Sequence, residues 1–249
     1  MTPTPLRPLI TETLACLSRA CHGHAQAEEM LAVLGPLREV AGQLQDVAPV
    51  PPAHEALLDQ AVSCIPKAQF PKLKPALVAA RDHLHWRVDD GGFYAPGADV
   101  GEGYRTGNMH TLLIGPKNAP IRARDMLLGI FLLAPATLYR DHAHAAPELY
   151  LPLTGPSGWR FDRGAWEDHP AGALICNAPD RKHATRVYDV PFLAVFAWTR
   201  DIHAPCRVVP ASDWSGIEAH LRDQHAPRAT TSRHQPSKTS SASRSSTAS

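Results

Sequence analysis

The densest group of residues able to do chemistry is the run DHAHAAPELYLPLTG, residues 141–155, which carries His142, His144, Glu148 and Tyr150. All four stand at even positions, so one extended strand would turn their side chains to a single face. Imidazoles and a carboxylate gathered on one face suit a divalent metal ion: zinc, iron(II), manganese or nickel. Left unsatisfied on the inner face of a strand, such groups would be costly. A further ligand has to come from another strand. His183, in APDRKHATRV, is the best placed, because it follows a Pro-Asp turn and heads the next predicted strand. The H-x-H spacing also occurs at His22/His24 and His83/His85, but only His142/His144 opens a strand-like run closed by a glycine, Gly155. The first two pairs read as solvated or capping histidines.

A strand carrying such a face needs a scaffold around it. After Trp86 the chain breaks into short apolar runs with Gly and Pro between them: GGFYAPGADVGEGY, TLLIGP, DMLLGIFLLAP, ELYLPLTGPSGW, GALICNAPD and FLAVFAWT. Six or more strands at this spacing predict a mainly β fold over residues 86–225, an antiparallel sandwich or barrel of the jelly-roll kind with room for an interior pocket. Of the 16 aromatic residues, 15 fall between Trp86 and Trp214, with Phe70 outside. Residues 1–85 read instead as helices: ITETLACLSRA, AQAEEMLAVL, LREVAGQLQ, HEALLDQAVSCI and KPALVAARDHLHW, interrupted by the proline-rich VAPVPPAHE. Their expected job is to cover one face or the mouth of the β region. Residues 226–249 hold 12 Ser or Thr, four basic residues, no acid and no aromatic, the composition of a disordered tail.

Charge and hydropathy exclude several classes. A net charge of +1 gives no broad basic field for nucleic acid, and without the tail's four positive charges the remainder is −3. The longest nearly apolar run, MLLGIFLLAPA, is well short of the ~18 residues of a membrane span. Five cysteines without C-x-x-C spacing fit free thiols, and the polar Thr11, Glu12 and Thr13 interrupt what would be a signal peptide's apolar run. A cytoplasmic location is expected. The oligomeric state is not legible.

The residues also carry a resemblance. H-x-H, three residues, Glu, six residues, Gly matches the first signature of the cupin superfamily in His142, His144, Glu148 and Gly155, and Pro179 to His183 stands where the second would. Ala136 replaces the usual opening glycine, and the second motif lacks its internal one. More narrowly, TLYRDHAHAAPELYLPLTGPSGWRF resembles the dimethylsulfoniopropionate lyases of the cupin type, with Y-x-x-H-x-H-x-x-x-E-x-Y followed by Gly-Pro-x-x-W. This similarity covers roughly residues 86–210. It implies a cupin β-barrel and the metal ligands His144, Glu148, Tyr150 and His183, with His142 beside them and Tyr139 as a base. The general cupin pattern would use His142 in place of Tyr150.

What the resemblance implies is a carbon–sulfur lyase acting on a small zwitterion that bears a carboxylate and a sulfonium cation. A metal at the carboxylate and a tyrosine at the α-proton would suffice, since the sulfur departs as a neutral thioether. Aromatic faces attract such a cation; Trp159 has the best motif support, while Phe161, Trp166 and Trp198 also fit core or rim roles. Two other readings share the residues: a metal-binding cupin oxygenase or isomerase with a different substrate, and a non-catalytic small-molecule-binding cupin.

Overall fold

The structure, a computed structural model, describes residues 5–32 and 44–226. The Ser/Thr-rich segment beyond Ala226 and most of the helix expected at 37–45 lie outside these residues.

Among the described residues four helices come first: α1 (Leu6–Cys21), α2 (Ala25–Ala32), α3 (Glu55–Cys64) and α4 (Leu73–Ala80), the last running into a single 3-10 turn at Arg81–His83. In α1, Leu6, Leu9, Ile10, Leu14, Leu17 and Cys21 recur at three- and four-residue intervals and are buried together. Pro8 and Pro75 sit in the first turns of α1 and α4, where the absent N–H would have had no helical partner.

The β region follows: β1 (Trp86–Arg87), a short helix α5 (Glu102–Gly107), β2 (Asn108–Gly115), β3 (Ile121–Arg122), β4 (Leu127–Leu133), β5 (Leu138–Ala143), β6 (Glu148–Pro152), β7 (Ser157–Phe161), β8 (Glu167–His169), β9 (Ile175–Asn177), β10 (His183–Val187), β11 (Phe192–Trp198) and β12 (Arg207–Val208), closed by helix α6 (Trp214–His225). They form two sheets. One runs β1-β2-β4-β11-β6-β9, with β3 parallel to β2; the other runs β12-β5-β10-β7-β8. This is the mainly β, double-sheet cupin arrangement expected from the sequence, although the ladders remain two sheets and do not close into one barrel.

The larger sheet is covered on both faces, which explains its continuous apolar strands. Along β11, Leu193, Val195 and Ala197 join one core with the helices, while Phe192, Ala194, Phe196 and Trp198 join a second core with Trp159 and Val187 of the opposite sheet. In β4, Leu128, Ile130 and Leu132 alternate in the same way with Leu127, Phe131 and Leu133. The N-terminal helices therefore cover the outer face of the larger sheet. Among the described residues no helix is long and apolar enough to cross a membrane.

Two local expectations change. GGFYAPGADVGEGY is a loop leading into α5, because Gly91 and Gly101 take φ values of +103° and +85° that interrupt an extended chain. Residues 141–155 are also not one strand. Ala143 ends β5 in the smaller sheet and Glu148 begins β6 in the larger.

Candidate active site

The histidines and Glu148 meet although they belong to different sheets. β5 delivers His142, the turn after it His144, β6 Glu148 and Tyr150, and β10 His183. His142 and His183 are register partners across the β5–β10 ladder. That ladder bulges between His183 and Thr185, which pairs with Tyr139, and the extra residue on β5 turns both Tyr139 and His142 toward the inter-sheet space. Three positions apart in a regular strand, they would face opposite ways.

Side-chain nitrogens of His142, His144 and His183 lie within 4.8 Å of one another, and all three residues are buried. Each ring is anchored from behind: Nδ1 of His142 lies 2.8 Å from the Arg140 carbonyl, Nδ1 of His144 2.8 Å from that of Ala146, and Nδ1 of His183 2.9 Å from that of Arg181. A carbonyl only accepts, so Nδ1 carries a hydrogen in each case and Nε2 is the ring nitrogen left to meet a carboxylate or a cation. Glu148 Oε2 lies 3.2 Å from His144 Nε2 and 3.4 Å from His183 Nε2. His183 Nε2 nevertheless has no hydrogen-bond partner among the described residues.

Glu148 is held from both flanks. Trp198 Nε1 donates to Oε1 at 2.6 Å and Asn177 Nδ2 donates to Oε2 at 2.7 Å. Burial acts to raise the Glu148 carboxyl, but His144 and His183 outweigh it and hold it well below the usual carboxylate range. Burial likewise pulls His144 down, and Glu148 outweighs that and raises it. For His142 the Arg140 carbonyl and Glu148 compensate too little: burial, then the neighbouring His183 and His144, keep it well below the ordinary imidazole value and therefore neutral.

These residues fit a divalent cation. The Nε2 atoms of His144 and His183 meet a buried carboxylate, each of the three rings is fixed through its other nitrogen, and the buried His183 Nε2 lacks a partner among the described residues.

Beside this group the sheets form a small pocket lined by Glu148, His142, Tyr139 and Tyr150 with a largely aromatic wall of Phe93, Phe131, Phe196 and Trp198. The Tyr139 hydroxyl lies 2.6 Å from that of Tyr94, and its ring is stacked between Tyr104 at 4.4 Å and His142 at 4.2 Å. Burial pushes the phenols of Tyr139 and Tyr150 well above their ordinary value, more so beside Cys206 for Tyr139 and beside Glu148 for Tyr150.

Of the sequence candidates, Tyr139, His142, Glu148 and Tyr150 line the cavity, and His144 and His183 stand with His142 and Glu148. Trp159 is buried with its centroid 5.2 Å from the Tyr150 ring and does not line the cavity. Trp166 lies elsewhere, against the guanidinium groups of Arg160 and Arg186. Sequence reasoning missed Asp89, Tyr94, Tyr104, His110 and Asn177. Tyr94 and Tyr104 stood inside the aromatic-rich stretch, the one signal that could have singled them out, but that stretch read as strand.

Known proteins resemble this chain in sequence and in fold. Residues 22–194 match the family described as dimethylsulfoniopropionate lyase. The chain is 30% identical to dimethylsulfoniopropionate lyase DddQ of Ruegeria pomeroyi over 178 residues, 68% of this chain and 81% of that protein. It is 36% identical to DddL of Cereibacter sphaeroides over 89 residues, which span only 36% of DddL and 35% of this chain. The crystal structure of R. pomeroyi DddQ superposes with a TM-score of 0.56 at 19% identity, covering 72% of this chain and 95% of that one, so the two share a fold. Taken with the family match across most of its length, the chain belongs to the dimethylsulfoniopropionate lyase family.

Proposed function

We propose that this protein is a metal-dependent carbon–sulfur lyase that cleaves dimethylsulfoniopropionate to dimethyl sulfide and acrylate. The observation that carries the reading is the stacked Tyr139, placed in one cavity wall beside the histidine–Glu148 group.

Tyr139 is the base. As phenolate it takes a proton from the carbon next to the substrate carboxylate. The C–H electron pair becomes the new carbon–carbon double bond, and the carbon–sulfur bond breaks with its pair staying on sulfur. The products are acrylate and neutral dimethyl sulfide, so no acid is needed at the leaving group. Tyr94, hydrogen-bonded to Tyr139, holds the reacting oxygen in place and steadies its charge. Phe93, Phe131, Phe196 and Trp198 offer ring faces to the sulfonium, worth roughly 0.5–2 kcal/mol for each well-placed contact once water is excluded.

A bound divalent cation supplies positive charge that favours the phenolate and the negative charge building beside the carboxylate. His144, His183 and Glu148, linked by the 3.2 and 3.4 Å contacts, form the centre of the proposed ligand set, and Tyr150, two residues beyond Glu148 on β6, completes it. His142 is assigned to the substrate side, because its ring stacks on that of the base. In this reading Trp159 supports the substrate pocket from behind Tyr150.

The test is Tyr139→Phe, with acrylate release and bound metal measured together. The variant is expected to lose turnover and keep its metal. Retained turnover removes Tyr139 as the base, and lost metal makes it a ligand instead.

A further inference from the structure

The loop before α5 contains a buried polar node that no catalytic step above uses. Asp89 is 5% exposed and Asn108 is fully buried. Asp89 Oδ1 accepts the backbone N–H groups of Gly91 at 3.1 Å and Gly92 at 2.7 Å, while Oδ2 accepts the Tyr104 hydroxyl at 2.6 Å. Asn108 ties both ends together. Its Oδ1 accepts the Asp89 N–H at 2.9 Å, and its Nδ2 donates to the carbonyls of Asp89 and Tyr104, each at 2.7 Å.

Two routes lead from this node to Tyr139. Through Tyr104 the carboxylate fixes a ring that stacks on Tyr139 with an interplanar angle of 19°. Through the Gly91–Gly92 turn it fixes the loop that carries Tyr94, whose N–H bonds to the Gly91 carbonyl at 2.9 Å and whose hydroxyl meets that of Tyr139. The far side of the stack is His142, itself tied to the Arg140 carbonyl. The Tyr139 ring thus lies in a column of three rings anchored at both ends, with its oxygen on a phenol borne by the same loop.

We propose that Asp89, acting through Tyr104 and the turn that carries Tyr94, is the positioning residue that sets the orientation of Tyr139. A buried carboxylate accepting three hydrogen bonds, none from a cation, is an expensive way merely to close a loop, and every bond it makes leads to a group touching Tyr139. A base held off line by about 1 Å costs on the order of a hundredfold in rate while leaving the binding wall intact. The proposal rests on the lyase reading only for its kinetic consequence; the orientation itself can be observed directly.

The experiment combines 3-fluorotyrosine placed at position 139, followed by fluorine NMR, with steady-state kinetics and metal analysis. Tyr104→Phe removes one hydroxyl and keeps the ring, and Asp89→Ala removes the whole node. Should Asp89→Ala fold poorly, Tyr104→Phe still decides. The expected result is a shifted or broadened resonance at position 139 in Tyr104→Phe, with kcat lowered about tenfold to a hundredfold, KM within about twofold and metal content unchanged. Resonances coincident with the wild type in both variants overturn the proposal. If the wild type itself releases no dimethyl sulfide, the lyase reading fails, and the fluorine spectra still decide whether Asp89 orients Tyr139.

Discussion

Asn177 stands directly across the β6–β9 ladder from Glu148 and donates its side-chain N–H to Glu148 Oε2 at 2.7 Å. On the other flank Trp198, the register partner of Glu148 on β11, donates to Oε1 at 2.6 Å. Three neighbouring strands thereby set one carboxylate, each of its oxygens fixed by a donor in the same row of the sheet. This aims the carboxylate at His144 and His183.

Removing one of these donors should loosen the metal site without unfolding the protein. Asn177→Leu is close in volume, and Asn177 Oδ1 has no partner to lose among the described residues. Metal retention, measured by competition with a chelator, is expected to weaken about 10- to 100-fold, as when an outer hydrogen-bond partner is lost from other metal sites. Retention equal to that of the wild type would mean that Asn177 does not orient Glu148.

The back of β5 supplies a stability prediction. Asp141, almost fully buried, receives Nε of Arg160 at 3.0 Å and Nε1 of Trp214 at 2.7 Å, and Arg160 also bonds Asp213 at the start of α6. Arg160→Leu strands the Asp141 charge, and denaturant unfolding should show a loss of about 3–5 kcal/mol. A loss near zero would show that water reaches Asp141 and that α6 is not a tight cover.

His110, on the cavity wall, is lowered by burial to about 4. Between about 4 and the free-imidazole value of ~6.5 the unfolded chain binds a proton here that the folded protein does not. Its contribution to the stability of the metal-free protein therefore falls as pH drops from about 6.5 to about 4 and levels off below. His110→Leu should flatten that part of the stability–pH curve when both proteins are followed by urea unfolding. Parallel curves would show that His110 titrates normally.

The assignment of Tyr150 to the metal has a spectroscopic signature. A tyrosinate bound to iron(III) absorbs visible light by charge transfer, whereas histidine and carboxylate ligands alone do not give that phenolate band. Iron(III)-loaded wild type is expected to be coloured, and Tyr150→Phe colourless with its iron retained. Colour surviving in Tyr150→Phe and lost in Tyr139→Phe would move the phenolate ligand to Tyr139.

Much of the site was readable because its pattern is local. His142, His144, Glu148 and Tyr150 fall within nine residues, and two strands joined by a short turn bring them together even though the sequence reads as one strand. The Glu148 clamp was hidden for the opposite reason. Asn177 and Trp198 are 29 and 50 residues away, and the register that aligns them is set by the apolar alternation of three whole strands. The Tyr139 stack depended on a bulge in β5, which spacing arguments cannot foresee. The loop carrying Asp89 and Tyr94 was misread because glycines among aromatic residues resemble strand punctuation until their positive φ values are seen. The aromatic wall was legible as composition, but which rings reach the cavity depended on strand pairing: Trp198 does, and Trp159 does not.

Whether the protein is a metal-dependent lyase is decided by headspace analysis of the purified full chain, stripped of metal and reloaded in turn with zinc, iron(II), manganese or nickel, and given dimethylsulfoniopropionate. Dimethyl sulfide and acrylate are expected in equal amounts with at least one of these ions, with no oxygen consumption and no product from the stripped protein. Absence of dimethyl sulfide with all four ions would contradict the lyase reading.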